Sequence, residues 1–402
     1  MRRPIVCILL CCLLFSAGCE TRIQPQPTTE ESPEPQPVQT PAEESHAQHI
    51  EKRTEYKYCT VILDFDLPQA ESSYALYKAE LHGITGAEYA GILNALSRGQ
   101  QWETALGKKI DTEHLGRGSF QVIRPAGDGV PRASLRGNAG GSQFLFTSKS
   151  SGEMVLSASD LNPYDADDRL LAQALGKMPA VSQADAQQIA DACISDMGCF
   201  SNYRLLRGER ALSVDTLFWE VTSDGWMFTY TPSFDGLQTV SESEWALRRG
   251  SDPTQTAPWT PMEALRIYVE QDITYMQLSN LTDYAEQKHA EVLPDSEIIN
   301  VIDELLYDQF EHQIDGLNKV VIKVTHVAPI YAVVQTAQGD ANAIPCWEIR
   351  FTEQYLLDSG ALTDDEDEEP IYISAVDGSY IEPRATAEQM VSPEVGSDSD
   401  AD

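Results

Sequence analysis

CWEI at residues 346–349 and FWEV at residues 218–221 share a Trp-Glu step followed by a β-branched residue, and the reading of that step decides the fold. In a strand, side chains alternate faces, so Trp347 and Ile349 share one face and Glu348 takes the other; Trp219, Val221 and Glu220 divide the same way. After each step comes an alternating stretch that ends in a DG turn, Asp235-Gly236 or Asp377-Gly378. The Trp-to-Asp distance is 16 residues in one case and 30 in the other, the excess being the acidic stretch LLDSGALTDDEDEEP. Two readings are open: a duplicated unit of helix, strand and DG turn, or two hairpins that share a dipeptide by chance.

Outward from these steps, helical patterns precede the strands. VSQADAQQIADACISDMG places Ile189, Cys193 and Met197 on one face, with Ser182 as N-cap and Asp185 three residues on. WTPMEALRIYVEQDITYM offers Thr260 as N-cap, Pro261 in the first turn and Glu263 as capping-box acid, which predicts a helix from Thr260. PDSEIINVIDELLYDQF sets Ile298, Ile302, Leu305, Leu306 and Phe310 in one apolar stripe. The helices from Ser182 and Thr260 are then expected to cover Trp219 and Trp347. Upstream, YKYCTVILDFDL alternates as a strand. TGAEYAGILNALSRG carries Tyr89, Ile92, Leu93 and Leu96 at helical spacing before Gly99. SFQVIRP, SLRG, SQFLFTS and EMVLSAS read as short strands.

The expected fold class is therefore α+β, with a β-rich domain at 54–165 followed by helix-plus-antiparallel-sheet units at 166–256 and 257–384. Residues 385–402 form an acidic tail expected to be disordered. Helix, W-E-[VI] strand and the turn in YISAVDGSYI are together similar to PepSY-like domains. They also resemble the carboxy-terminal region of YycI/YycH-type proteins, which restrain a cell-wall histidine kinase in Gram-positive bacteria. The resemblance covers residues 181–384 and implies binding or regulation without chemistry. The chain departs from the YycI/YycH pattern in having a lipid-anchor motif in place of a transmembrane helix.

That motif lies at the amino terminus. Arg2 and Arg3 precede an apolar run from Ile5 to Phe15, too short to cross a bilayer but of signal-peptide length. The run ends in LLFSAGC, residues 13–19. The small residues before Cys19 resemble a bacterial lipobox, although Ser16 stands where Leu is usual. The resemblance implies cleavage after Gly18 and two acyl chains on Cys19, an arrangement that anchors stably. Ordinary secretion after Gly18 and an uncleaved anchor are the alternatives. Residues 20–55 hold no aromatic residue and many prolines, and 19–53 is expected to be a solvated tether. Lipobox, Pro-rich tether and acidic body together resemble lipoproteins of Clostridia-like bacteria.

The chain has 28 basic and 63 acidic residues, a net charge of −35. Losing residues 1–18 removes Arg2 and Arg3 and leaves −37. Such a charge repels phosphate backbones, so no nucleic-acid partner is expected. Four of the eight cysteines belong to the mature body: Cys59, Cys193, Cys199 and Cys346. Cys193 and Cys199 would stand about 9 Å apart on an unbroken helix, too far to bridge. A break at Gly198 would permit a disulfide, and two buried thiols are the other reading.

Chemistry leaves few traces. GRGSFQV at 116–122 lacks the third glycine of a kinase loop, and no VAIK, HRD or DFG follows. No G-x-S-x-G elbow and no H-E-x-x-H motif occurs, so neither a catalytic residue nor a metal ligand is assigned, and no cofactor is expected. DDEDEE at 364–369 lacks the spaced ligands of an EF-hand and reads as a charged loop. Trp219, Trp226, Trp245, Trp259 and Trp347 read as core more readily than as the lining of a groove. The expectation is a lipid-anchored protein on the extracytoplasmic face, with a non-catalytic, regulatory, ligand- or protein-binding role. Its partners are membrane lipid through Cys19 and an envelope protein or sensor kinase. A solute-binding component of a transporter and an envelope hydrolase are the alternatives.

Overall fold

The computed structural model describes residues 47–381 apart from 105, 111–114, 116–117, 128, 139, 151, 159–178, 241–262, 312–318, 336–340, 358–359, 364–365 and 368–369. Strands dominate. In chain order they are β1 (Gln48–Glu55), β2 (Cys59–Leu67), β3 (Ser73–Leu81), α1 (Gly86–Ala95), β4 (Glu103–Thr104), β5 (Ser119–Arg124), β6 (Ala133–Asn138), β7 (Phe144–Thr147), β8 (Glu153–Ser157) and α2 (Gln183–Met197). There follow β9 (Tyr203–Asp215), β10 (Glu220–Phe234), β11 (Leu237–Gln238), β12 (Ala264–Val269), β13 (Ile273–Ser279), β14 (Thr282–Glu291) and α3 (Asp295–Glu311). The last are β15 (Val320–Gln335), β16 (Ala341–Tyr355), β17 (Glu366–Asp367), β18 (Ile371–Ser374) and β19 (Tyr380–Ile381).

The strands form two sheets, and the chain leaves the first to build the second. One sheet has nine strands: β1-β2-β15-β16-β18-β19, with β3 and β17 also on β16 and β14 on β3. The other has ten, ordered β4-β5-β6-β7-β13-β12-β10-β9-β8, with β11 on β10. All ten lie in sequence between β3 and β14, which pair antiparallel from Thr282–Leu81 to Glu291–Ser73. The nine-stranded sheet thus joins the beginning of the body to its end, and β2 runs parallel to β15. A parallel neighbour requires a long crossover, and here the crossover includes the whole second sheet.

The α+β expectation, with two successive helix-plus-sheet units, is corrected by this arrangement. The molecule is β-dominated, with three helices among the described residues, and its sheets ignore the boundaries at 165 and 256. Residues 264–279, placed by sequence with the last unit, belong to the ten-stranded sheet as β12 and β13. Gln48–Glu55 is a strand paired in full with β2, where composition placed tether as far as residue 53. The predicted helix from Thr260 is absent from 264 onward. All six residues of β12, ALRIYV, are buried. A short run, apolar but for Arg266, has no periodicity to tell a two-sided strand from a helix, and the sheet on both its edges decided it. Thr260 and Pro261 lie outside the described residues.

Each helix covers a sheet by its apolar stripe. Tyr89, Ile92 and Leu93 of α1 and Ala186, Ala190, Ile194 and Met197 of α2 pack with Phe146, Phe228, Leu265 and Ile267 of the ten-stranded sheet. Thr85 and Glu88 close a capping box on α1. Ser182 caps α2, and Gly198 ends it at φ 74°, the left-handed turn that glycine enters without strain. On the nine-stranded sheet, Ile298, Ile302 and Leu306 of α3 meet Val61, Leu63, Val324 and Trp347.

The sheets are tied through the turn at Asp235-Gly236. Tyr77 and Tyr331 of the nine-stranded sheet donate their hydroxyls to Asp235 Oδ2 at 3.3 and 3.0 Å. Phe234 packs its ring against Tyr77, Tyr284 and Tyr331, with centroids 4.6, 4.6 and 5.8 Å away.

Candidate functional site

Where the chain passes between sheets, a cleft of about 220 Å³ opens. Its walls come from the residue after β3, the first turn of α1, the loop after α2, the end of β10, Glu263, and the start of β14. His82 stands at the crossing, its backbone N–H donating to the Leu281 carbonyl at 2.8 Å. Its ring bridges two carboxylates, Nδ1 to Asp283 Oδ2 at 2.9 Å and Nε2 to Glu88 Oε2 at 3.0 Å. Burial disfavours the imidazolium, but the bonds to Glu88 and Asp283 outweigh that, and its pKa is raised. Burial likewise works against Glu88 ionisation, and bonds from Thr85 and His82 carry its pKa below the ordinary value.

Glu263 lies deeper. Tyr203, the first residue of β9, donates its hydroxyl to Oε1, and Tyr284 of β14 donates to Oε2 at 3.0 Å. Burial pushes the carboxyl up to about 8, and the phenol and Thr282 bonds offset only part of it. At neutral pH this group therefore carries its proton for most of the time. Burial, with Glu263 beside them, also drives both phenols well above their ordinary range. The cleft thus has an uncharged, hydrogen-bonded floor beneath a rim of His82 between two carboxylates.

Nothing in the cleft resembles an activated nucleophile. Cys199 lines it, but burial pushes the thiol up to about 12, and a thiol is the poor form for attack. Elsewhere Lys149 Nζ lies 2.8 Å from Ser223 Oγ. Lys149 is also paired with Glu270, and the Ser223 hydroxyl donates to Glu270 Oε1 at 2.5 Å, turned from the amine. Among the described residues no group of three or more His, Cys, Asp or Glu side chains is arranged to hold a metal ion.

The residues singled out by sequence are dispersed. Cys19 lies outside the described residues, as do Trp245, Trp259 and most of the run Asp364–Glu369. Cys193 and Cys199 are not bridged by a disulfide, and neither are Cys59 and Cys346. Trp347 is buried at 1 % exposure, whereas Trp219 is 48 % exposed in the turn before β10, with φ 53°. The expectation that a helix covers and buries both tryptophans fails at Trp219. Sequence reading missed His82, Tyr203 and Tyr284, and took Glu263 for a helix cap. One signal was present: Glu263 opens a run whose next six residues are all buried. A carboxyl on the threshold of such a strand must find partners or neutralise.

No protein-family model and no curated protein matches the chain. Among solved structures it is similar to an uncharacterized protein from Eubacterium rectale at 11 % identity and a TM-score of 0.47, over 83 % of this chain and 93 % of that one. No helix of the described residues is long and apolar enough to cross a membrane.

Proposed function

We propose that this protein is an extracytoplasmic lipoprotein, held on the cell membrane by acyl chains on Cys19, with a non-catalytic, regulatory binding role. The cleft at the crossing between the sheets is its ligand seat. The observation that carries the binding role is the make-up of that cleft. Three carboxyl groups, Glu88, Asp283 and Glu263, line it with one histidine and no activated nucleophile. Such a lining suits a small ligand bearing an ammonium group, which replaces the His82 contact to Asp283 and hydrogen-bonds the phenol-carboxyl floor. The lipobox at residues 13–19 and the Pro-rich stretch after it support the anchor.

Two measurements test the reading. Cys19→Ala should abolish incorporation of labelled fatty acid; undiminished labelling would remove the anchor. Primary amines from ethanolamine to spermidine should raise the melting temperature in a concentration-dependent way, as any ligand selective for the native state must. Asp283→Asn should weaken that shift. If no amine in the series shifts the melt, or Asp283→Asn responds like wild type, the cleft is not an ammonium site.

A further inference from the structure

The turn between β9 and β10 carries Leu217, Phe218 and Trp219 into solvent at 79, 72 and 48 % exposure, and Val221 follows at 41 %. Single apolar residues on a surface are ordinary; four within five positions are not. The turn is also held from beneath. Asp215 Oδ1 accepts the N–H groups of Leu217 and Phe218 at 2.8 and 3.2 Å, and the Asp215 carbonyl accepts that of Trp219 at 2.8 Å. Thr216 donates both its N–H and its hydroxyl to the Gly152 carbonyl, which stitches the tip to the turn before β8. The apolar side chains are thus presented on a fixed backbone. At the base, Glu153 lies opposite Asp215 on one side and Glu220 opposite it on the other, a row of three acids across β8, β9 and β10.

We propose that this tip enters the headgroup layer of the membrane to which the acyl chains on Cys19 hold the protein; the inference rests on the lipoprotein reading above. Trp and Phe beside an aliphatic residue are the side chains that settle at a membrane–water interface. A projecting tip of three side chains needs no preformed pocket to enter a fluid layer. Residues 20–46, 27 in number, reach at most about 97 Å fully extended. An anchored body therefore meets its own bilayer at high effective concentration, and a partition too weak to recruit a free protein suffices to hold the tip down. The row of acids repels anionic headgroups, so the tip should favour a zwitterionic surface.

The test uses the full acylated chain reconstituted into phosphatidylcholine vesicles, with and without bromine on the acyl chains as a contact quencher of indole emission. Trp219 should be quenched. The loss should disappear in Trp219→Phe, shrink in Leu217→Ser/Phe218→Ser, and shrink as phosphatidylglycerol replaces phosphatidylcholine. Protein that floats with the vesicles but shows equal quenching in wild type and Trp219→Phe overturns the tip and leaves the anchor intact. Protein that fails to float overturns the anchor, and the tip proposal with it. Quenching that rises with phosphatidylglycerol overturns the role given to the acids.

Discussion

Among the described residues the β9–β10 and β15–β16 hairpins are the two longest, and each follows a helix that packs on its sheet. The Trp-Glu step they share falls in different places. Trp347 is the seventh residue of β16 and lies in the core. Trp219 precedes the first residue of β10 and stands in solvent. The seventh residue of β10 is instead Trp226, which packs against the α1–α2 core and donates Nε1 to the Val181 carbonyl at 3.0 Å, just ahead of α2. Counted from the turn, the tryptophan that corresponds to Trp347 is Trp226. A dipeptide match carries no information about distance from a turn, and that distance decides which residue reaches the core.

The largest effect expected is at Trp347. Removing its ring leaves a cavity under α3, and Trp347→Ala should cost about 3–5 kcal/mol in denaturant unfolding. A loss under about 1 kcal/mol would break the comparison, because Trp347 would then be no more central than Trp219.

Next comes Glu263, whose setting the two sheets create jointly. Its carboxyl is raised by burial to about 8, so the folded state holds a proton that the unfolded chain releases from about pH 4.5. Stability from this group is complete below about pH 4.5 and falls as pH rises towards 8. The fall should be on the order of 3 kcal/mol, since one pKa unit is about 1.4 kcal/mol and Tyr203, Tyr284 and Thr282 can relax around the ionised form. Glu263→Gln should flatten the profile between those limits while the wild type slopes downward. Parallel profiles for the two proteins would show Glu263 to be ionised in the fold.

These effects show what the sequence could convey. Elements with a strict period were readable: α2 by Ser182 and Gly198, α3 by Ile298, Ile302 and Leu306, and β2 by its alternation. The partnership of sheets was not. β3 and β14 were not assigned as strands, yet they pair with each other across two hundred residues and frame the cleft. Ser73–Leu81 buries Tyr74, Ala75, Tyr77 and Ala79 because Tyr331, Val333 and Phe234, all distant in sequence, pack on them. Half of the candidate site was invisible for the same reason. His82 and Asp283 are unremarkable apart, and only the crossing places their atoms 2.9 Å apart.

Trp226 should give an intermediate effect. It is half-buried, and Trp226→Ala removes both its contact with α2 and the bond to Val181. A cost of about 2 kcal/mol is expected, combining partial loss of packing with an unpaired carbonyl. Trp226→Phe should recover roughly half. If Trp226→Ala costs less than Trp219→Ala, the turn-based correspondence with Trp347 fails.

The smallest effect should be at Trp219, and its sign matters more than its size. Trp219→Ala removes a ring that is largely in water, so stability should change by no more than about 0.5 kcal/mol. The backbone there is left-handed, at φ 53°. A bulky residue holds that conformation at a cost of about 1–2 kcal/mol that glycine escapes. Glycine also loses more freedom on folding, about 0.5–1 kcal/mol relative to alanine. Trp219→Gly should therefore be neutral to slightly stabilising in thermal melts, the reverse of Trp347→Ala. A position where the native residue contributes nothing to stability, and where glycine fits the backbone better, holds its indole for contact with something outside the fold. A marked drop in melting temperature for Trp219→Gly would instead make the indole part of the fold's own packing, and the contrast between the two Trp-Glu steps would close.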